Sequence, residues 1–535
     1  MHNADIPKTA CLLITILMPI CAWAGYTTIH NDTFWNTAEG KPIYSQGGGI
    51  FTFKDPRDGQ EKYFWYGCHY EEADKYRAAP VGKYDTMNFR SISLYTSTDL
   101  LNWHEEADAM TRQSIWGETK RPGWVGRMGV CYVEKKQKYA LFVQNNSGVL
   151  VCTADSPLGP FNYYRRINMK SRIGTDGTGD QTVFTDPDDG SSYLICSKGH
   201  GRNEAYVCKI GVETETDSIG LISCKQVYKG VSREGNCMFK HDGRYYLYAS
   251  NIYGWDASLA YYLVADSIYG PYQPVNDMQI TEGCEQDYAH VTQTGFFVNM
   301  RRDGRDLVIY CGDRWADFAD NGLGFNQWMP MSFREDGLPV FNSLSSWQLN
   351  PLTAEWRVAP DNNYVMNGSF EADRRIIPLE KKPQQDFLTG WKTEVLRGTP
   401  VGNNIPNSPQ LNAFNNVADH QWVTGKMSLY ISDSVSFRRR ISQEVTGTPV
   451  CEMPNGTYLL SAKVRTTGRF SRLYMFADNN HDLPVTATMP QNSDWQTVTL
   501  PVTVVNHKLT IGFEADGQNG TQAYIDDVKL EKILK

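Results

Sequence analysis

The sequence predicts an all-β protein in two parts, a five-bladed β-propeller followed by a β-sandwich of jelly-roll type. Three observations predict it. A strand motif recurs five times in the first two thirds of the chain, almost no amphipathic helical periodicity lies between the copies, and after residue 360 the repeat gives way to short alternating strands. At 535 residues, with 41% hydrophobic and 21% charged, the chain has the material for two or three folded domains. Its 52 Lys and Arg against 60 Asp and Glu leave a net charge of -8. That argues against nucleic acid as a partner, because binding a polyanion rests on clustered positive charge.

In chain order, residues 1–24 read as an export signal: Lys8, then an apolar run, then Ala22-Trp23-Ala24 with small residues where a signal peptidase cuts. The run is broken by Pro19 and falls short of the ~20 apolar residues of a membrane span. No later stretch approaches that length, so no span is expected and the mature chain is placed in the periplasm or outside the cell. Cys21 follows Ile20, where a lipoprotein signal wants a small residue, so acylation is not expected. Ten of the 12 Cys lie beyond the signal, nine of them before residue 312, with no C-x-x-C pair and no zinc-finger spacing to His. They read as buried small hydrophobes, with a disulfide or two in an oxidising compartment.

Residues 25–360 carry the repeat as EKYFWYG at Glu61, QKYALFV at Gln137, SSYLICS at Ser191, GRYYLYAS at Gly243 and RDLVIYCG at Arg305, at intervals of 76, 54, 52 and 62 residues. Each copy is a short apolar strand entered from a tight turn, as in FTDPDDGSSY and FKHDGRYY. A second motif follows three copies: TSTDLLNW at Thr96, TADSPLGPF at Thr153 and VADSIYGPY at Val264. Radial repetition of such units brings all blades around one axis. Polar residues that open otherwise apolar strands are therefore the candidates for chemistry: Glu234 in SREGNCMF, Asp180 in GTGDQTVF and Gln293 in HVTQTGFF. Glycoside hydrolysis needs a protonated carboxyl and a second acidic group that holds its pKa up, which equivalent positions in adjacent blades can supply; the alternative is that each is a solvated turn residue.

From about residue 40 to 350 these motifs resemble glycoside hydrolase family 43. GDQTVFTDPDDGSSYLI is similar to the family's blade-three motif, which makes Asp180 the pKa-setting Asp. REGNCMFKHDGRYYLY is similar to its acid motif, which makes Glu234 the general acid. The usual blade-one Asp, the general base, is absent, and YSQGGGIF has Gly47 in its place. That loss resembles the exo-β-1,3-galactanase branch, which uses a Gln instead, here Gln293. SQGGGI at Ser45, TQTGFF and YCGDRW fit that branch. Gln46, where the branch has His, and VGRMGV, with Gly126 where it has Glu, do not. Candidate substrate-binding residues are Gln46 and Arg127, the tryptophans Trp65, Trp124, Trp255 and Trp315, which either stack on a sugar's C–H face or pack in the core, and Asp313 and Arg314, which either bind hydroxyls or form a structural ion pair. The resemblance implies that no cofactor is needed for catalysis. Gln293 is expected to face Glu234 across a water-sized gap, with Asp180 nearer to Glu234 than to Gln293.

Residues 361–535 read as seven or more antiparallel strands. MNGSFE, the Trp ending TGW at Trp391, PNGTYLLSAKVRT and AYIDDVKLEK resemble carbohydrate-binding modules of the family 4 and 9 jelly-roll type. That resemblance implies a structural calcium held by Glu371 and Asp527 through hard oxygen ligands. The alternative is a module that only braces its neighbour. Taken together, the expectation is an inverting exo-β-1,3-galactanase acting on plant-type, arabinogalactan polysaccharide or oligosaccharide. An α-L-arabinofuranosidase or other furanosidase of the same fold, and a catalytically dead glycan-binding propeller, are the alternatives.

Overall fold

The computed structural model describes residues 25–80, 84, 86–116, 125–145, 147–287, 291–315, 323–372, 388–402, 408–409, 411–414 and 427–534. Within these the chain is all-β, with only three short α-helices and one 3-10 turn. Five antiparallel sheets succeed one another, each built from strands consecutive in sequence. The five copies of the repeat are the second strands of these sheets, Glu61–Tyr70, Lys138–Asn145, Ser192–Lys198, Arg244–Ser250 and Arg305–Trp315. They are continuously apolar because sheets pack on both of their faces; the last eight residues of Glu61–Tyr70 are all buried. The second motif closes the third strands Phe89–Ser97, Gly148–Ala154 and Ala260–Ala265.

The first strands Gln46–Lys54, Met128–Val133, Thr178–Thr185, Glu234–His241 and Gln293–Arg302 touch one another in turn, and the last touches the first. Four of the five open with a register irregularity, between Gln46 and Gly49, Thr178 and Gln181, Glu234 and Cys237, and Gln293 and Phe296. A bulge re-aims the side chains beside it, so this shared irregularity turns the opening residues toward the place where the first strands meet. A disulfide joins Cys208 to Cys224, which face each other across the third and fourth strands of the third sheet. The remaining described cysteines are free, and all but Cys451 are buried.

Thr27–His30 pairs with Ser346–Asn350, tying the start of the described chain to the end of the sheet series. At the junction that follows, Asp361 bonds back to His30 and Ser346, and Asn362 to Ser345 and Ser346. Asn363 accepts from the Leu530 amide and donates to the Val528 carbonyl, in the last strand of the chain. Beyond it, two five-stranded sheets enclose one hydrophobic core. One runs Lys392–Arg397, Phe437–Val445, Leu509–Gly517, Arg472–Asp478, Val485–Thr488; the other Asn412–Phe414, Met427–Ser432, Gln522–Lys532, Gly456–Thr467, Gln496–Val504. Gly456–Thr467 alternates buried and half-exposed residues, the pattern of a strand with one face on a core. Among the described residues no helix is long and apolar enough to cross a membrane; residues 1–24, read above as an export signal, lie outside them.

Candidate active site

The strand openings converge on a cavity of about 480 Å³ whose wall includes Gln46, Arg127, Asp180, Glu234, Gln293 and Trp315. Glu234 is a buried residue of that wall. The Gln293 Nε2 amide donates to Glu234 Oε1 at 2.8 Å, and the Arg202 guanidinium pairs with the other carboxylate oxygen. Gln293 Oε1 accepts from Trp315 Nε1 at 2.8 Å and from Arg127 Nη2 at 3.2 Å. Those two N–H donors determine which end of the amide faces Glu234. The expected water-sized gap between the two residues is therefore not present. The amide, held by Trp315 and Arg127, donates to the carboxylate directly.

Asp180 Oδ2 accepts the Gly235 backbone N–H at 2.9 Å and lies 3.3 Å from Arg127 Nε. Burial pushes this carboxyl up, but the Arg127 and Arg202 charges and the Gly235 amide outweigh it and hold the group below the usual carboxylate range. Asp180 is thus a fixed negative charge one residue from Glu234; that charge disfavours ionisation of a second carboxyl, and the Arg202 guanidinium on Glu234 opposes it.

Arg127 connects the site. It pairs with Asp313 Oδ2 at 2.6 Å, reaches the Thr294 carbonyl at 2.9 Å, and lies 5.6 Å from the Trp315 ring centroid. Burial raises the Asp313 carboxyl above its usual range against the pull of Arg127 and Asn326. Removing Arg127 would leave the buried Asp313 carboxylate without its counter-charge and Asp180 with Arg202 alone. Arg127→Met should therefore lower stability by about 3–5 kcal/mol, read as the shift in a urea midpoint; an unchanged midpoint would contradict this reading of the pair.

Of the residues expected to bind substrate, Gln46, Arg127, Trp255 and Trp315 line the cavity. Gln46 donates to the Gly324 carbonyl, while its buried Oε1 has no hydrogen-bond partner among the described residues. Trp255 and Trp315 meet edge to face with centroids 4.9 Å apart. Three expectations are corrected. Trp65 sits mid-strand with no exposure, in an aromatic cluster with Trp35, Trp103 and Trp328, because a residue at that point of a second strand faces the neighbouring sheet. Arg314 turns away from the cavity and donates to the Val291 carbonyl, since successive strand residues point to opposite sides. Asp313, on the cavity side, is buried beneath Arg127 and acts through it. Trp124 lies outside the described residues.

Gly47 stands at the cavity wall with φ +60, a conformation that L side chains rarely adopt, so the first sheet presents no carboxylate there. Sequence reasoning missed Arg202, His200 and Gln144, all of which line the cavity. The available signal was position. The turn GHGRNE follows a second strand, and such a turn lies at the end where first strands begin.

For calcium, Glu371 is fully buried and accepts from the Met427 amide at 2.6 Å, while Asp527 is paired with Lys529 at 3.1 Å. Among the described residues no group of three or more His, Cys, Asp and Glu could hold a metal ion. With an ammonium already against Asp527, this pair does not fit the expected site, and no step below relies on a metal.

A buried carboxyl beside a permanently charged Asp, in a wide cavity edged by tryptophans, is the equipment of a hydrolase that cleaves glycosidic bonds. The model of Glycosyl hydrolases family 43 matches residues 57–339, more than half the chain; the protein belongs to that family and is a glycoside hydrolase. It is 25% identical over 332 residues to a beta-D-galactofuranosidase of Aspergillus niger, covering 59% of this chain and 88% of that one. Its structure is similar to that of an exo-beta-1,3-galactanase from Phanerochaete chrysosporium with beta-1,3-galactotriose, at TM-score 0.52 and 19% identity, covering 94% of this chain and 100% of that one. It is likewise similar to an exo-beta-1,3-galactanase from Clostridium thermocellum, at TM-score 0.52 and 16% identity, covering 95% and 100%. At these identities the likeness is one of fold.

Proposed function

We propose that the protein is an exported, inverting exo-β-1,3-galactanase acting on arabinogalactan-type glycan. In this reading the five sheets of residues 25–360 are the blades of a closed propeller, and residues 361–535 are an accessory jelly roll of carbohydrate-binding type. The observation that carries the reading is the contact between Gln293 and Glu234 at 2.8 Å in a cavity where Gly47 supplies no carboxylate. Glu234 protonates the leaving oxygen, and Asp180 keeps that proton available. Substrate entering the cavity takes the place of the Gln293 amide at Glu234 Oε1, which frees the amide to orient the attacking water.

Gln293 Oε1 already accepts two N–H bonds, an arrangement that favours the amide over the imidic form, so Gln293 positions the water and takes no proton from it. The transition state is oxocarbenium-like, so a water held in line needs little push from a base; once its oxygen has bonded to the anomeric carbon, the extra proton passes to solvent water, and Glu234 regains its own proton from solvent. The test is product analysis on arabinogalactan, de-branched β-1,3-galactan and arabinan. Galactose released from the de-branched chain supports the proposal, whereas binding to glycan with no product would leave a lectin. A furanosidase is the second reading, favoured by the galactofuranosidase relative; it predicts release of a furanose sugar instead.

Trp255 and Trp315 offer aromatic faces to a sugar's C–H surface. Trp255→Ala, which leaves the Gln293, Glu234 and Asp180 contacts in place, should raise KM on galacto-oligosaccharides by about ten-fold, or ~1.4 kcal/mol, with kcat nearly unchanged. A fall in kcat at constant KM would instead place Trp255 among the groups that act on the transition state.

A further inference from the structure

We propose that the C-terminal sandwich is a positioning element of the active site, holding the two segments that carry Gln293 and Trp255. This rests on the catalytic reading above. Ala372, at the start of the sandwich, is buried in a small cluster with Ala257 and Val291, against which Leu259 packs. Val291 lies two residues before Gln293, and Ala257 two residues after Trp255. Val291 has φ +60, a left-handed conformation that is an outlier for a β-branched residue and persists only where surrounding structure imposes it.

The imposing contacts come from both sides. Within the sheet series, Arg314 donates to the Val291 carbonyl, and the Ser258 amide donates to the Thr292 carbonyl, joining the two segments. Ser343 Oγ lies 2.9 Å from both carboxylate oxygens of Asp287, and the Val291 amide donates to the Asp287 carbonyl at 2.6 Å. From the sandwich, Gly390 is pressed so close to the same stretch that an added Cβ would lie 2.7 Å from the Gln286 carbonyl oxygen. The Gly390 carbonyl is itself held by Gln443. Thr448 of the sandwich donates to Asn342, the neighbour of Ser343.

Gln286 and Val291 thus both meet the sandwich, and Val291 lies two residues short of the amide that contacts Glu234. A wedge at Ala372 or Gly390 shifts the Gln293 amide and the Trp255–Trp315 pair without touching either. A misplacement of about 1 Å by a distant mutation is enough to cost ~100-fold in rate.

The test uses the full-length protein with Ala372→Leu, Gly390→Ala and, as a control, Leu483→Ala at an exposed residue of the sandwich. Kinetics are measured on β-1,3-galactobiose, too short to engage a glycan-binding face on the sandwich. Near-UV circular dichroism reports the edge-to-face tryptophan pair, and far-UV circular dichroism the fold. The expected result is a ~10- to 100-fold loss of kcat with KM changed much less, and an altered tryptophan signal on an intact fold. Ala372→Gly, which removes no more than a methyl, should recover most of the rate, and Leu483→Ala should match the parent. Folded Ala372→Leu or Gly390→Ala with parental kcat and tryptophan signal would overturn the inference. Should Ala372→Leu not fold, Gly390→Ala decides. If the parent does not cleave galactobiose, the proposed function fails while the tryptophan signal still decides whether the sandwich positions the site.

Discussion

Glu234→Gln should lower turnover of β-1,3-galactan by about 100- to 10,000-fold. The substitution keeps the side chain's shape and an oxygen able to accept from Gln293, but removes the proton that the leaving oxygen needs. The loss should be smaller on an aryl glycoside, whose leaving group departs with little protonation, and that difference separates a lost acid from a disordered pocket. The parent and variant should also share a melting temperature to within a few degrees, because the carboxylate's partner Arg202 is part-exposed and can be solvated. Turnover within a few-fold of the parent would remove Glu234 from the acid's role.

Gln293 carries the second large effect. Gln293→Ala leaves the Trp315 and Arg127 N–H groups pointing at empty space and frees the water from its orienting amide, so kcat should fall by about 100-fold or more. Gln293→Glu is the more diagnostic change. It retains an acceptor for Trp315 and Arg127 but sets a second carboxyl where the amide now lies 2.8 Å from Glu234. Two carboxyls that close share a proton, and one of the pair titrates at a raised pKa. The acid then stays protonated to higher pH, and the alkaline limb of kcat/KM should move upward. An unshifted profile in Gln293→Glu, or an unchanged rate in Gln293→Ala, would mean that the water is held by another group.

Much of this was legible in the sequence for one physical reason: the repeat. Because five apolar strands recur with their turns, the residues that open the neighbouring strands could be aligned by place, and Glu234, Asp180 and Gln293 fall at one cavity. What alignment by place does not reveal is direction. Asp313 and Arg314 are adjacent in sequence, yet the alternation of a strand sends one under Arg127 and the other to the Val291 carbonyl. Trp65 has the composition of a stacking residue and the location of a core residue, and burial on both faces of a second strand decides between them. Arg202 sits in a turn with no periodicity to mark it, and its role emerges only when the turn folds over Glu234. The closed contact between Gln293 and Glu234 depends on where Trp315 and Arg127 place the amide oxygen, which no pairwise spacing encodes.

In the proposed reaction Glu234 works opposite a water oriented by an amide and not opposite a second carboxylate nucleophile. Proton NMR of de-branched β-1,3-galactan, recorded in the first minutes after adding the protein, tests it directly, since inversion and retention release opposite anomers before mutarotation mixes them. Inversion at a β-linkage predicts α-galactose as the first signal, appearing before any β anomer and before any oligosaccharide. β-Galactose appearing first would require a covalent intermediate on a second side chain, and would contradict the assignment of Gln293 and Glu234 together.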